Sequence, residues 1–132
     1  MANYEISNWA RLGHECRHNQ LYWAQGDYLG FGCAAHSHVD GRRWWNLRTP
    51  DRYLAAIEAG DSAEAAGEDL DAETRRIEAL QLRIRTREGV PLDAFDAADA
   101  DALTGLIEAV DGRYVLTPPG RLLANQVSLR LK

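Results

Sequence analysis

The sequence predicts an α+β protein, mostly helical, in which an irregular aromatic segment precedes a helical domain. The first 53 residues hold all four tryptophans, all four histidines, both cysteines and nine of the eleven aromatic side chains. The remaining residues carry apolar positions at helical spacing and few rings. We therefore divide the chain into two predicted regions, an aromatic segment over residues 1–48 and a helical domain over residues 49–132.

The aromatic segment begins with a predicted short strand over residues 3–7, where side-chain character alternates. From Asn8 to Leu47 the sequence is rich in glycine and turn residues, which predicts irregular backbone. A single short helix, Arg17 to Ala24, is expected within it.

The helical domain opens with a Thr49-Pro50 start signal and a stop at Gly60, which predict a short helix. Residues 61–67 are small and acidic and are expected to form a mobile loop. A longer helix follows from about Asp69 and ends at Gly89. Its apolar stripe is formed by Leu70, Ile77, Leu80 and Ile84.

The last third of the chain predicts a helix from about Asp99 to Val110, a strand over residues 113–116 and a final helix that starts at Thr117-Pro118. The order helix, helix, short strand, helix indicates a small winged-helix-like domain at the C-terminal end.

Composition and charge exclude several classes of function. With 45% hydrophobic and 27% charged residues, the chain is typical of a small globular protein. The formal net charge of −5 opposes nucleic-acid binding, because phosphate neutralisation needs a basic face. No apolar run approaches the roughly 20 residues that cross a bilayer, so a cytoplasmic protein is expected. The two cysteines are expected to remain thiols.

The densest group of reactive side chains lies in the predicted helix of the aromatic segment. There His18 and Tyr22 are four residues apart, as are Asn19 and Trp23, so each pair shares a helix face. An imidazole flanked by rings suits a flat iron porphyrin, since histidine ligates haem iron. Alternatively, His18 and Asn19 bridge backbone groups while Tyr22 and Trp23 are ordinary core residues.

Three weaker candidates remain. By residue type, Cys33, His36 and His38 suit zinc, although a structural site needs a fourth ligand. Glu5, beside Tyr4 and Asn8, offers a carboxylate at a strand end, or a simple ion pair with Arg11 or Arg17. A further group is suited to stacking on a planar ligand or to plain solvation, and comprises Arg42, Arg43, Trp44 and Trp45.

Several ordered motifs carry a family resemblance over nearly the whole chain. They are Tyr4-Glu5-Ile6-Ser7-Asn8-Trp9-Ala10, His18-Asn19-Gln20-Leu21-Tyr22-Trp23, Asp27-Tyr28-Leu29-Gly30-Phe31-Gly32, Ala35-His36-Ser37, Arg43-Trp44-Trp45-Asn46 and the tail from Arg113 to Asn125. These motifs resemble the C-terminal part of the oxygen-independent coproporphyrinogen III oxidase-like proteins. More narrowly, they are similar to the radical SAM haem chaperone branch.

The resemblance implies that this chain is the C-terminal part of a longer protein with an N-terminal radical SAM barrel. That barrel would hold the four-iron four-sulfur cluster and S-adenosylmethionine, and the short strand of residues 1–48 would complete it. In the chaperone branch the His-Asn-x-x-Tyr-Trp motif is tied to haem, which implies haem contacts for His18, Asn19, Tyr22 and Trp23, with iron at His18. Tyr4, Glu5, Asn8 and His36 would lie near the ligand.

One motif departs from the family pattern, because Gly32-Cys33-Ala34-Ala35-His36 stands where the family usually has Gly-Pro-Gly-Ala-His. The ligand geometry expected at this loop is therefore open.

The function expected from the resemblance is haem delivery to an acceptor protein. One alternative is a fragment of an oxygen-independent coproporphyrinogen III oxidase, which forms protoporphyrinogen by oxidative decarboxylation. Another is a winged-helix module that binds protein. Alone, the chain is not expected to be an enzyme, since it has no Cys-x3-Cys-x2-Cys loop. Its aromatic surface is expected to pair with the barrel, to self-associate, or to be disordered over residues 8–48.

Overall fold

The computed structural model describes all residues, 1–132, and its contacts divide the chain into two compact units. The first unit comprises Met1–Ala24 and Arg76–Lys132, and the second comprises Gln25–Arg75. The predicted α+β class is confirmed, with six helices and three antiparallel sheets. No helix combines the length and apolar character that crossing a membrane requires.

The first unit begins with an antiparallel hairpin of strands β1 (Ala2–Glu5) and β2 (Asn8–Ala10). Helix α1 (Arg17–Trp23) follows, close to the predicted range. The hairpin forms backbone hydrogen bonds with residues 85–87. The Ile6 N–H donates to the Arg85 carbonyl at 3.1 Å, and the Arg87 N–H donates to the Tyr4 carbonyl at 3.2 Å.

The rest of the first unit surrounds its apolar core. Its sheet has the order β6-β8-β7, with β6 (Val90–Pro91), β7 (Ile107–Val110) and β8 (Arg113–Leu116). The helices α4 (Ala97–Ala102), α5 (Pro118–Leu122) and α6 (Ala124–Ser128) complete it. The core contains Ile84, Val90, Ala94, Phe95, Leu103, Ile107, Leu116, Ala124 and Val127.

The second unit is a three-stranded antiparallel sheet with one connecting helix. Its strands β3 (His36–Val39), β4 (Arg42–Asn46) and β5 (Glu64–Asp69) lie in the order β3-β4-β5. Helix α2 (Pro50–Ala59) joins β4 to β5 and ends at Gly60, whose φ of +73° gives the left-handed cap that the sequence predicts. The boundary between the units falls within helix α3 (Ala72–Arg83).

Three predictions about local structure are wrong in whole or in part, in each case because strand pairing decides the conformation. Residues 61–67 were expected to be a mobile loop, but strand β5 pairs with β4 along its length. The predicted helix from Asp99 to Val110 ends at Ala102, and β7 pairs with β8 beyond it. The backbone from Asn8 to Leu47 is irregular only in part, since strands β2, β3 and β4 lie within it in addition to the expected helix.

Candidate functional site

Helix α1 carries all four residues of the predicted haem motif, and one face of the helix is anchored to the β1-β2 hairpin. The Trp23 ring packs against the buried Tyr4 ring with centroids 5.7 Å apart and planes tilted by 54°. Asn19 Nδ2 donates to Asn8 Oδ1 at 3.3 Å. The Cys16 backbone N–H, just before the helix, donates to the Tyr4 hydroxyl at 3.2 Å. Asn19 and Trp23 therefore hold the helix in place.

The other pair of motif residues faces outward. His18 is exposed, and its imidazole makes no hydrogen bond, ion pair or ring contact in the structure. Tyr22 is 48% exposed and lies four residues further along the same face. The fold thus uses half of the motif for packing and leaves the imidazole of the other half accessible to a ligand.

Glu5 is buried, but it does not form the ion pair with Arg11 or Arg17 that was one expectation. Its Oε2 accepts hydrogen bonds from the Ser7 backbone N–H at 3.0 Å, from Asn8 Nδ2 at 2.7 Å and from the Ser7 hydroxyl at 3.2 Å. Neutral donors of the hairpin turn thereby solvate the carboxylate without a cation. Asn8 links this turn to α1, because its amide also binds Asn19.

An open depression of about 210 Å³ lies beside the anchored face of α1. This volume is below the roughly 300 Å³ at which pockets begin to enclose a drug-sized ligand, so the depression suits one edge of a larger molecule. It is lined by Tyr4, Gln20, Trp23, Ala24, Arg83, Thr86 and Glu88. Gln20 and Arg83 were not predicted from the sequence. The sequence offers one signal for Gln20, its position three residues before Trp23 on the same helix, and none for Arg83.

His36, the remaining predicted residue, lies in the second unit. Its exposed ring packs on Trp45 with centroids 5.8 Å apart, beside an open depression of about 200 Å³. Ala34 and Arg48 complete the lining. Arg48 was not predicted from the sequence, because it follows the Trp44-Trp45 pair without a recognisable motif.

The zinc hypothesis for Cys33, His36 and His38 has no geometric support. No group of three or more histidine, cysteine or acidic side chains in the chain is placed to hold a metal ion. His38 is buried and serves the fold, with Nδ1 at 3.3 Å from the Gly26 carbonyl. Cys33 is exposed and free, as is Cys16.

The arginine and tryptophan pairs of β4 are already partnered within the sheet. The Arg42 guanidinium stacks over the Trp44 ring at 5.1 Å and forms an ion pair with Glu64 at 2.6 Å. This hydrogen bond to Glu64 raises the pKa of Arg42. Arg43 forms an ion pair with Glu68 at 2.7 Å. These two cations are therefore not simply solvated, as one expectation held.

Comparison with known proteins shows which proteins this chain is similar to. The chain is 44% identical over 130 residues to a protein of Mycobacterium tuberculosis (strain ATCC 25618 / H37Rv) named heme chaperone HemW, and 36% identical over 110 residues to the protein of that name from Escherichia coli (strain K12). This chain is a relative of the haem chaperones. The resemblance predicted from the motifs is thus confirmed, although no family model matches the chain.

The haem chaperones are longer than this chain. The match covers 94% of the chain but 33% of the Mycobacterium protein, and 81% of the chain but 27% of the Escherichia coli protein. The Bacillus subtilis (strain 168) haem chaperone is 30% identical, with 94% of the chain and 36% of that protein covered. The chain therefore spans about a third of the length of these relatives.

The fold is also similar to that of a solved structure, the coproporphyrinogen III oxidase HemN from Escherichia coli, described as a radical SAM enzyme. The similarity has a TM-score of 0.68 and covers 96% of this chain and 36% of that one. The sequence identity is 17%, so this similarity establishes the fold alone.

Proposed function

We propose that this chain is the C-terminal, haem-handling part of a haem chaperone that delivers haem to an acceptor protein. The similarity to proteins of that name supports the proposal. The observation that carries it is the exposed, unpartnered imidazole of His18 on a helix whose neighbouring face is anchored.

The residues around His18 fit haem as a cargo. A neutral imidazole is a common ligand of haem iron, and exposed aromatic and apolar side chains pack on the macrocycle. In this proposal His18 ligates the iron, and the 48% exposed Tyr22 contacts the ring. Asn19 and Trp23 position α1 through Asn8 and Tyr4. The buried Glu5 acts indirectly by fixing Asn8.

The radical SAM cofactors belong elsewhere in this proposal. Two cysteines, Cys16 and Cys33, are too few for a three-cysteine cluster loop, so the four-iron four-sulfur cluster and S-adenosylmethionine would be held by the remainder of a longer protein. Alone, the chain would bind haem without catalysing a reaction. Its two exposed free thiols support a reducing compartment, and we propose the cytoplasm.

A haem titration followed by Soret absorbance tests the proposal. The wild-type chain is expected to bind ferric haem with the spectrum of an imidazole-ligated iron, and His18→Ala is expected to lose that spectrum. His14→Ala is the matched control, because His14 is exposed on the same unit but lies outside α1. An unchanged spectrum in His18→Ala, or an equal loss in His14→Ala, would contradict the ligand assignment.

The resemblance of the motifs to the oxygen-independent coproporphyrinogen III oxidase-like proteins supports a second candidate, in which the longer protein decarboxylates a porphyrinogen. An anaerobic assay of the full-length protein with coproporphyrinogen III and S-adenosylmethionine separates the two candidates. Formation of protoporphyrinogen would favour the oxidase, whereas unchanged substrate with retained haem binding would favour the chaperone.

The C-terminal region is proposed to be a winged-helix-like module that binds an acceptor protein. The antiparallel order β6-β8-β7, and a β7-β8 hairpin that follows helix α4, support this assignment. The acidic balance of residues 61–132, with nine basic and fourteen acidic side chains, supports a protein partner over nucleic acid.

Residues 1–48 are proposed to border the barrel of the longer protein, with residues 49–132 as the separate C-terminal domain. Large apolar side chains of the first segment support this, since Phe31 is 86% exposed and Leu12 is 81% exposed. Self-association would cover the same surface. Light scattering of the isolated chain tests this, because a strict monomer at high concentration would argue against the self-association.

A further inference from the structure

Strand β4 places two consecutive tryptophans on opposite faces of its sheet, because side chains alternate along a strand. Trp44 contacts a cation that is itself paired with a carboxylate. The Arg42 guanidinium lies 5.1 Å from its centroid, and Glu64 binds that guanidinium at 2.6 Å. Gly67 lies directly opposite Trp44, and a Cβ there would come within 3.0 Å of the Trp44 Cβ. On this face the Trp44 ring, the Arg42 cation and the Glu64 carboxylate therefore already contact one another.

Trp45 lies on the other face, which also carries the Arg43–Glu68 ion pair. The depression beside Trp45 is lined by a ring and a cation, His36 and Arg48, and by no carboxylate. His36 lies opposite Trp45 on β3, and Ala66 lies opposite it on β5. Because the alanine side chain is small, it does not cover the indole on that side. Arg48 lines the same open depression of about 200 Å³. This guanidinium is exposed and forms no ion pair or hydrogen bond in the structure.

We propose that this depression binds a flat aromatic molecule that carries carboxylates, with its ring on Trp45 and a carboxylate paired with Arg48. Indole faces attract planar ligands, and guanidinium binds carboxylate with directed, charge-assisted hydrogen bonds. His36 flanks the ring and supplies a second donor. The volume accommodates one edge of such a molecule, and the open side leaves the remainder outside.

A porphyrin with propionate side chains has this chemistry, and in naming it the inference rests on the proposed function. No metal is required, because the recognition uses the ring and the carboxylates and not the iron. This separates the depression from His18, whose proposed role is to ligate iron.

The test uses metal-free protoporphyrin IX and its dimethyl ester, with binding followed by porphyrin fluorescence in the whole 132-residue chain. Arg48→Gln is expected to weaken protoporphyrin binding about tenfold, since it removes one charge-assisted pair. The wild-type chain is expected to bind the ester about as weakly as Arg48→Gln binds the acid. Trp45→Leu is expected to weaken both ligands.

Arg52→Gln is the matched control, because Arg52 is also exposed in the second unit and does not line the depression. Arg48→Gln is suited to the test since its side chain holds nothing in the fold. Equal affinities of Arg48→Gln and Arg52→Gln, equal affinities of the wild type for acid and ester, or no binding of protoporphyrin would each overturn the inference. The proposed function would survive these results, because it is judged by the Soret spectrum of ferric haem in His18→Ala.

Discussion

The two units of the chain differ in what holds them together. Every buried hydrophobic side chain lies in the first unit, where Ile84, Val90 and Val127 are fully enclosed. The buried polar residues of the second unit are Ser37, His38 and Asn46, and its tryptophan, tyrosine and phenylalanine rings remain partly or largely exposed. The first unit is therefore stabilised by apolar burial, whereas the second relies on backbone pairing and buried hydrogen bonds.

This difference has a functional meaning. A sheet whose aromatic residues are not used to build a core has them free to contact a ligand or a partner. In the second unit Trp45 and Phe31 are such residues. In the first unit α1 shows a similar division, with Trp23 packed and His18 exposed.

The largest expected effect on the free energy of unfolding comes from Phe95, and Phe31 is its comparison. Phe95 is 4% exposed and makes an edge-on contact with Tyr114 at 5.7 Å, so Phe95→Ala should lower the free energy of unfolding by about 4 kcal/mol. Phe31→Ala removes a ring that is 86% exposed and should change it by less than about 0.5 kcal/mol. Urea unfolding measured by circular dichroism checks both. Similar losses would remove the contrast between the units.

A close backbone approach in the second unit should give the next largest effect. A Cβ on Gly30 would lie 2.2 Å from the His36 carbonyl oxygen, so Gly30→Ala should lower the free energy of unfolding by about 2 kcal/mol. Leu29→Ala, at the exposed neighbouring position, serves as the control and should have little effect. A silent Gly30→Ala would mean that this loop does not pack tightly on β3.

A buried hydroxyl should contribute somewhat less. The Gly30 N–H donates to Ser37 Oγ at 3.0 Å, and Ser37 is 2% exposed, so Ser37→Ala leaves a partly buried N–H unpaired. The expected loss is about 1.5 kcal/mol in the free energy of unfolding. Ser62→Ala, which removes an exposed acceptor for the Glu64 N–H, should cost less in the same urea titration. Equal losses would contradict the importance of buried polar contacts in this unit.

The smallest effect concerns acid sensitivity at the start of α3. The backbone N–H and then the hydroxyl of Thr74 hold the pKa of Asp71 below its ordinary value of 3.8. The stability that this carboxylate contributes is therefore present at neutral pH and is lost as the pH falls through and below 3.8. Asp71→Asn keeps an oxygen acceptor but does not titrate.

The urea midpoint of Asp71→Asn should consequently fall less than that of the wild type between pH 7 and pH 3. Asp93→Asn, at an exposed position whose carboxylate forms no hydrogen bond or ion pair, provides the comparison and should follow the wild type. Parallel curves for all three proteins would show that Asp71 has no such role.

Elements with local start and stop signals were predictable from the sequence. Thr49-Pro50 and Gly60 bound α2 as expected, and Thr117 caps α5 by accepting the Gly120 N–H at 3.1 Å. These signals act within one turn of backbone, so the residues that decide the structure are neighbours in sequence.

Strands decided by distant residues were not predictable in the same way. The small acidic residues of β5 have little intrinsic preference for a strand, and it is their pairing with β4 that fixes them. The two hairpins had a usable signal in Asp40-Gly41 and Asp111-Gly112, where both residues of each pair have positive φ. Asp111-Gly112 directly follows the predicted helix from Asp99 to Val110, and the same pair also suits the end of a helix.

The candidate site was half predictable. Helical spacing correctly pairs His18 with Tyr22 and Asn19 with Trp23. Which pair faces outward depends on Tyr4 and Asn8, which lie on another element, so only the structure distinguishes them. Arg48 was not predictable as a binding residue, because its availability depends on having no carboxylate partner in the fold, and the sequence does not show which side chains pair.

The assignment of His18 as the iron ligand is the centre of this account. The chain can be prepared with ¹⁵N-labelled histidines and loaded with ferric haem. Pulsed electron paramagnetic resonance then measures the coupling of the iron to nearby nitrogen nuclei. Hyperfine coupling between iron and a histidine ¹⁵N is expected in the wild type and in His14→Ala, and it should be absent in His18→Ala. Persistent coupling in His18→Ala would contradict the account.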